Sequence, residues 1–568
     1  TTGSGADTFD GSATGTLDTV DTIIGGTGAD VLTVALGNES IRPTITGVET
    51  IKVTGTGGTT IDARDITGVT NWDNESSGGA VTVNYAAVIP ELTLNTVTAA
   101  TTIMLANAAT AGSADSMTVN VNNSTSTITI NDNAGTTNEL ETVVLNSTSL
   151  ASTVTSLVTD GVETAAVTVT GDADLTIGTL DALVATLTST AFTGDLTVSA
   201  SDRVLGFTAN TGAGDDAITI AGATAANIVD MGAGDDSYTG GSTAADSITL
   251  GTGSDTLNIA TLNLTSVDTV AGGTGTDTLA MSNDSTVVDA DFTLITGVEK
   301  VNSGNNDLTI TLGAASLAAG VTTVTGGTGT NIITVGAGHT AALTVALAAG
   351  TETLSAAAYT GALSVTADID SITSADTITG GTGTSDTLTL TRDGSGDVAI
   401  VAADLAGVTA IETFTVNGTT KAGSVTIDQL NVADGKTLHI DGSSLTTGVL
   451  TAILAADTNG INSVTGGDAA DLITGSGSDL GDTLTGGAGN DVFTFANANF
   501  TSLDTVAGGT GTNVITVTGA GGAVDADFTN VTLVQTLNGA DGVASAFTLG
   551  PLATAAGIVT VSPGTGNN

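Results

Sequence analysis

A glycine-rich turn ending in an aspartate and a short apolar tooth returns every nine or ten residues within clusters of this chain. It reads GGTGADVLT (Gly25 to Thr33), TGAGDDAIT (Thr211 to Thr219), MGAGDDSYT (Met231 to Thr239) and GGAGNDVFT (Gly486 to Thr494). Self-similarity at a short fixed period constrains a fold more than composition does, because each copy must stack on its neighbours to bury anything. The glycines permit tight turns, and the apolar residue two positions after the aspartate is placed to point inward.

In the densest cluster the teeth are Ile218, Ile228, Tyr238, Ile248 and Leu257. The matching acidic positions are Asp216, Asp236, Asp246 and Asp255, with Ala226 where a ligand is missing and Asp215 and Asp235 as extra carboxylates. A second ladder has Asp471, Asp482 and Asp491 with teeth Ile473, Leu484 and Phe493, and a third has Asp376 and Asp386 with Ile378 and Leu388. The N-terminal turns add Asp7, Asp21 and Asp30 with Phe9, Ile23 and Leu32.

If two turns complete one coil, like turns stack about 4.8 Å apart. Bare carboxylates at that spacing repel. A Ca2+ ion between them takes oxygens at roughly 2.3–2.6 Å, and glycine-loop carbonyls can complete its shell. Several Ca2+ ions are therefore the expected cofactor, with metal binding and folding as one equilibrium. GGTGTNIIT (Gly326 to Thr334) and GGTGTNVIT (Gly508 to Thr516) carry Asn331 and Asn513 at the acidic position, and are expected to bind an ion weakly or not at all.

Composition supports thin, repeated layers. The 568 residues include 77 glycines, are 40% hydrophobic and only 2% aromatic, so Val, Ile, Leu and Ala must form the core. Charge is one-sided: 59 acidic residues face eight basic ones (Arg42, Lys52, Arg64, Arg203, Lys300, Arg392, Lys421 and Lys436), for a net charge of -51. That excludes a nucleic-acid partner, for want of phosphate contacts, and a polybasic membrane patch. No apolar run is long enough for a transmembrane helix, and membrane insertion is not expected. Cysteine is absent, and the millimolar calcium outside cells would fill even weak sites, so an extracellular location fits. The chain opens without methionine inside a turn motif (Thr2 to Asp10), as expected of one region of a longer protein whose targeting signal lies elsewhere.

Alternation with a period of two runs through VTVNYAAV (Val81 to Val88), MTVNVNN (Met117 to Asn123) and AAVTVTG (Ala165 to Gly171), predicting short strands. Leu180 to Leu187 and Ala314 to Ala319 have room for a helical turn, but their Thr and Gly surroundings favour strands. TSVDTVAGGTGTDTLAM from Thr265 and VDADFTLITGVEKVNSG from Val288 recur 236 residues on as TSLDTVAGGTGTNVITV and VDADFTNVTLVQTLNGA. A second motif is an apolar-Glu-Thr step, as in TGVETIKV from Thr46, ELETVVL from Glu139, DGVETAAV from Asp160, Glu352, and AIETFTV from Ala410, with a TGVEKV variant at Glu299. Its simplest reading is a solvent-facing Glu at a corner. Five segments follow: an N-terminal repeat segment at 1–37, a Thr-rich solenoid at 38–204, a calcium β-roll cluster at 205–286, a solenoid with one calcium turn cluster at 287–460, and a C-terminal repeat region at 461–568.

The nonapeptides resemble the repeats-in-toxin calcium β-roll, whose pattern is Gly-Gly-x-Gly-x-Asp-x-apolar-x. The wider texture is similar to the surface-layer proteins of Gram-negative bacteria that carry such repeats: Thr/Ala/Gly-rich strands, few basic residues and interspersed Gly-Val-Glu-Thr steps. The resemblance implies an all-β, elongated, right-handed parallel β-solenoid, secreted without a cleaved signal peptide and assembled on the cell surface into a two-dimensional homo-oligomeric lattice that needs Ca2+. It puts the metal role on Asp7, Asp30, Asp216, Asp236, Asp246, Asp255, Asp277, Asp376, Asp471, Asp482 and Asp491, with Asp215 and Asp235 beside them. Asp386 joins less cleanly, since GGTGTSDTL (Gly380 to Leu388) holds one extra residue. A cell-surface polysaccharide would be met through a region outside this chain. A secreted adhesin or an extracellular filament subunit is the alternative.

No catalytic constellation is present. His339 and His439 are far apart in sequence and have no cysteine partner; a turn role for the first and a structural strand role for the second are expected. The aspartate spacing is that of metal loops rather than of paired catalytic carboxylates, and no Gly-Lys-Ser/Thr follows the glycine clusters. Trp72, the only tryptophan, is expected as a packed loop residue.

Overall fold

Two compact units, Thr1–Ala280 with Leu294–Val298 and Met281–Thr293 with Glu299–Asn568, make up the chain. The structure, a computed structural model, describes residues 3–112, 114–132, 140–159, 165–220, 223–391, 398–417, 422–542 and 545–564. Thr2, Glu139, the Glu-Thr step at 160–164, Arg392 and Lys421 lie outside them.

Each unit is an all-parallel, all-β solenoid, as the repeats predict. In the first, one sheet stacks strands from Thr8–Gly11 through Val31–Leu36 and Thr50–Gly55 to Ile295–Thr296, and a second stacks Ser40–Ile41, Thr59–Asp62 and Val81–Ala86 through to Thr256–Ile259. In the second unit, three sheets run from Ser285–Val287 to Val408–Thr409, from Lys300–Asn302 to Asn530–Thr532, and from Val398–Ile400 to Thr560–Ser562.

The register gives the coil length. Ala217 pairs with Ser237 and Ser237 with Thr256, while Ile228 pairs with Ser247. Two nonapeptide turns therefore close one coil in the dense cluster. Outside it, coils lengthen: Leu92 pairs with Val119, and Val119 with Leu145.

Alternation decides what faces inward. The strand Val31–Leu36 buries every second side chain, and parallel pairing places like residues above one another. Met117, Val143, Val167, Leu187, Ala209, Val229, Ile248, Val270 and Ile295 form one buried column in the first unit. Val324, Val345, Val365, Leu388, Phe414, Ile440, Val464, Leu484 and Val506 form another in the second. Thr, Ser and Asn occupy the alternate outward positions, where a β-branched or short polar side chain suits a pleated surface.

Three local expectations are corrected. Ile228 is exposed and Val229 is the buried tooth, so the rung position in that turn falls on Asn227, which is buried, and not on Ala226. Ala314–Ala319 is an α-helix rather than a strand, closed by Gly320 at φ +106°. Trp72 is buried as expected, but in the strand Asn71–Glu75, paired with Ile51 and Leu92. Near Leu180, the strand Val184–Thr188 forms as predicted.

Candidate metal-binding turns

Glycine is what lets the turns stack. Gly234, Gly253 and Gly275 have φ of +140°, +140° and +133°, and a Cβ on each would stand 2.0, 1.8 and 1.6 Å from the carbonyl oxygen of the glycine one coil below. Between these glycines the turns pair as parallel bridges, Ala213 with Ala233 and Ala233 with Thr252.

With the turns this close, the aspartates form ladders. The backbone N–H of Leu196 donates to Asp216 Oδ1 at 2.8 Å, that of Asp216 to Asp236 at 2.7 Å, that of Asp236 to Asp255 at 2.8 Å and that of Asp255 to Asp277 at 2.9 Å. At the opposite corner Phe207 donates to Asn227, Asn227 to Asp246 and Asp246 to Asp268. Beside the buried ladder runs an exposed one of reversed polarity: Asp195 N–H donates to Asp174, Asp215 to Asp195, Asp235 to Asp215 and Ser254 to Asp235. Asp215–Asp216 and Asp235–Asp236 thus tie each coil to both neighbours. A charge-assisted bond to a backbone donor is stronger than a neutral one, so each rung fixes coil register.

The other sequence-predicted positions sit in the same role. Asp7 N–H donates to Asp30, Asp471 N–H to Asp491, Glu352 N–H to Asp376 and Leu363 N–H to Asp386. Asp482 lies above Asp504. All are buried apart from the half-buried Asp7 and the exposed Asp215 and Asp235.

At Glu49, Glu141, Glu352 and Glu412 the Glu of the apolar-Glu-Thr step is not a solvent-facing corner. Glu49 accepts from Asp30 N–H, Glu141 from Asp115 N–H and Glu412 from Asp386 N–H, each through Oε2. Glu352 is buried, and Gln535 accepts from Asn513 N–H. Glu49 and Glu412 take the rung from an aspartate turn, and Glu352 passes it on to Asp376. The spacing of each step after a glycine turn was the signal that could have found them.

The second carboxylate oxygen divides the rungs. Asp246 Oδ2 accepts from Ser242 N–H, Asp376 Oδ2 from Thr373 N–H, Asp386 Oδ2 from Gly381 N–H, Asp471 Oδ2 from Gly467 N–H and Asp482 Oδ2 from Ser476 N–H, all within 2.6–2.7 Å. In Asp7, Asp30, Asp236, Asp255 and Asp491, Oδ2 is buried with no hydrogen-bond partner. Beside it only glycine fits: a Cβ on Gly25 would be 2.6 Å from Asp30 Oδ2, and one on Gly486 2.2 Å from Asp491 Oδ2.

The asparagine turns reveal what surrounds that position. Asn331 Nδ2 donates to the carbonyls of Gly327 at 2.9 Å and Gly329 at 3.2 Å and to Glu352 Oε1 at 2.9 Å. Asn513 Nδ2 donates to the carbonyls of Gly509 and Leu533. The turn interior offers acceptors, which suits a donor or a cation. In the Asp491 turn Oδ2 stands where Asn513 Nδ2 does, beside the first turn glycine and the carbonyl of the next coil.

Burial accordingly favours the neutral acids. It pushes Asp236 and Glu352 up to about 7, and Asp216, Asp482 and Asp491 up to about 6, against the backbone or side-chain donors that pull each down. Asp255 and Asp471 are also raised by burial.

Among the described residues no group of three or more His, Cys, Asp or Glu side chains is placed to hold a metal ion. An ion here would take one or two carboxylates and complete its shell from backbone carbonyls and water, which calcium accepts. His339 is buried with Nε2 on Val321 O; His439 bonds Ser463 through Nδ1, donates its backbone N–H to Glu412 O and lines a cavity with the Gly381 turn. No described helix is long and apolar enough to cross a membrane. Compared with protein-family models, with curated proteins and with solved structures, the chain has no match.

Proposed function

We propose that this chain is a structural subunit of a calcium-dependent, extracellular two-dimensional array on a Gram-negative cell. The carrying observation is that Asp30, Asp236, Asp255 and Asp491 each leave a buried oxygen without a donor, in turns whose asparagine counterparts aim their amides at carbonyls. Bound calcium would supply positive charge to those oxygens and to the glycine-loop carbonyls. The protein holds the remaining geometry itself: the Oδ1 rungs fix coil spacing, and the glycine columns keep the space beside Oδ2 open.

Array formation follows from surface charge. With a net charge of -51, like subunits repel until divalent cations neutralise them. The exposed row Asp174, Asp195, Asp215 and Asp235 presents carboxylates at coil spacing for that purpose. Asp215 and Asp235 thus serve surface contacts in this reading, while the buried aspartates serve the fold. A cell-surface polysaccharide would be bound through a region outside this chain.

The test is calcium titration followed together by circular dichroism and negative-stain electron microscopy. Ordered sheets appearing with calcium support the array. Isolated particles that gain β structure support the secreted adhesin, linear assemblies support the filament subunit, and no response to calcium sinks the reading.

A further inference from the structure

The rungs differ in what fills the position beside Oδ2, and the difference is a matter of hydrogen-bond accounting. In one class a backbone N–H fills it: Ser242 for Asp246, Thr373 for Asp376, Gly381 for Asp386, Gly467 for Asp471 and Ser476 for Asp482. The Ser and Thr members reinforce this with their hydroxyls, as Ser242 Oγ does on Asp246, Thr373 Oγ1 on Asp376 and Ser476 Oγ on Asp482. In a second class an amide nitrogen fills it, as in Asn331 and Asn513. In the third class nothing does, and the orphaned oxygens of Asp30, Asp236, Asp255 and Asp491 belong to side chains at most 2% exposed.

A glycine of positive φ two residues before the aspartate is common to the third class without defining it. Asp30, Asp236, Asp255 and Asp491 each follow, by two residues, a glycine of positive φ (Gly28, Gly234, Gly253 and Gly489). Ala469 and Thr384 hold that place before Asp471 and Asp386. Gly214, at φ +112°, precedes Asp216 in the same way, and there Thr211 and the Gly212 N–H reach the carboxylate.

We infer that calcium is required only at the third class, and that the chain has replaced it elsewhere with fixed donors: the Asn331 and Asn513 amides act as built-in substitutes for the ion, and Asp246, Asp376, Asp386, Asp471 and Asp482 form metal-independent rungs. The inference rests on the calcium reading above and refines it, since it withdraws the metal from positions with the same sequence signature. It has a consequence opposite to ordinary ligand loss. Asp→Asn at an orphaned rung swaps an acceptor for a donor among acceptors, so the calcium-free protein becomes more stable while a calcium ion is lost. The converse change, Asn513→Asp, creates a calcium-requiring rung.

The experiment measures bound calcium by equilibrium dialysis with elemental analysis, and thermal unfolding in chelator and in calcium, for the full chain and for Asp255→Asn, Asp491→Asn, Asn513→Asp and Asp376→Asn. Expected are fewer bound ions and a higher Tm in chelator for Asp255→Asn and Asp491→Asn. Asn513→Asp is expected to lower Tm in chelator and to recover it with calcium, with more calcium bound. For Asp376→Asn the bound calcium is unchanged and Tm falls equally in both conditions. A drop in bound calcium for Asp376→Asn, or a lower Tm in chelator for Asp255→Asn and Asp491→Asn, overturns the inference. If the unaltered chain binds no calcium at all, the metal reading itself fails, and the chelator Tm values alone still decide whether the rungs differ as described.

Discussion

At the scale of single residues, the turn glycines are what let neighbouring coils approach. Gly253 has φ +140° and its missing Cβ would fall 1.8 Å from Gly234 O, so alanine there meets both backbone strain and a backbone clash. Gly253→Ala is expected to destabilise the protein by about 3 kcal/mol or more. Gly78, with nothing within 4 Å of its Cβ position, is the control, with Gly78→Ala expected within about 0.5 kcal/mol of neutral. Urea unfolding of the two variants side by side checks this, and equal midpoints would contradict it. The glycine pattern was plain in the sequence. The donor beside each Asp Oδ2 was legible only in part: it comes from three to six residues earlier, but Asp216, behind Gly214 at φ +112°, is still bonded by Gly212, so the glycine pattern alone does not assign it.

Among the elements, the duplicated segment shows what a repeated sequence secures. Asp289 accepts from the N–H groups of Ala315 and Ser316, at the start of the helix Ala314–Ala319. Asp525, in the second copy, accepts from Gly550, Leu552 and Ala553, at the start of the helix Pro551–Ala556. Each carboxylate lies one coil before the helix it caps and supplies the acceptor that the first N–H groups of a helix lack. For Asp289, burial raises the pKa but is outweighed by these donors, which lower it; for Asp525, the Ala553 N–H leads in lowering it. Replacing Asp289 by Ala is expected to cost about 1–2 kcal/mol and to speed amide hydrogen exchange across residues 314–319. Unchanged exchange there would show that the cap is unimportant. The sequence exposed the duplication, but Ala314 to Ala319 read as a strand because its cap comes from a residue more than twenty positions earlier.

For the whole molecule, stability should run against pH in an unusual direction when calcium is removed. Burial raises the folded-state values of Asp236 and Glu352 to about 7 and of Asp216, Asp482 and Asp491 to about 6, above the ordinary carboxylate range. A folded state that holds protons more tightly gains stability that is fully present below about pH 4 and is lost as pH rises through those raised values. Self-repulsion among 59 acidic residues grows in the same direction. Asp289 and Asp525, whose values are lowered, contribute the opposite slope only at acid pH. In chelator, Tm is therefore expected to fall between pH 5 and pH 7.5, and saturating calcium to flatten only the part of that fall owed to Asp236 and Asp491, where it competes with protons for the same oxygens. Thermal scans in both conditions test it; a chelator curve that is level or rises over that range contradicts the burial argument.

The sequence by itself determined the solenoid. A nine- or ten-residue glycine-aspartate period with strand alternation between turns permits parallel stacking and little else, and coils of two turns appear where the period is regular. It also determined which aspartates point inward at the turns, because each one's place relative to glycine and tooth is fixed over a few residues. Only the tertiary structure decided what those carboxylates touch. Asn227 rather than Ala226 entering a ladder, Glu49 and Glu412 ending one, and Asp376 finding a donor while Asp255 finds none are outcomes of coil-to-coil register. The ladder partners are about twenty or more residues apart, and the Oδ2 donors, though only three to six residues away, are set by how each turn folds under its neighbours.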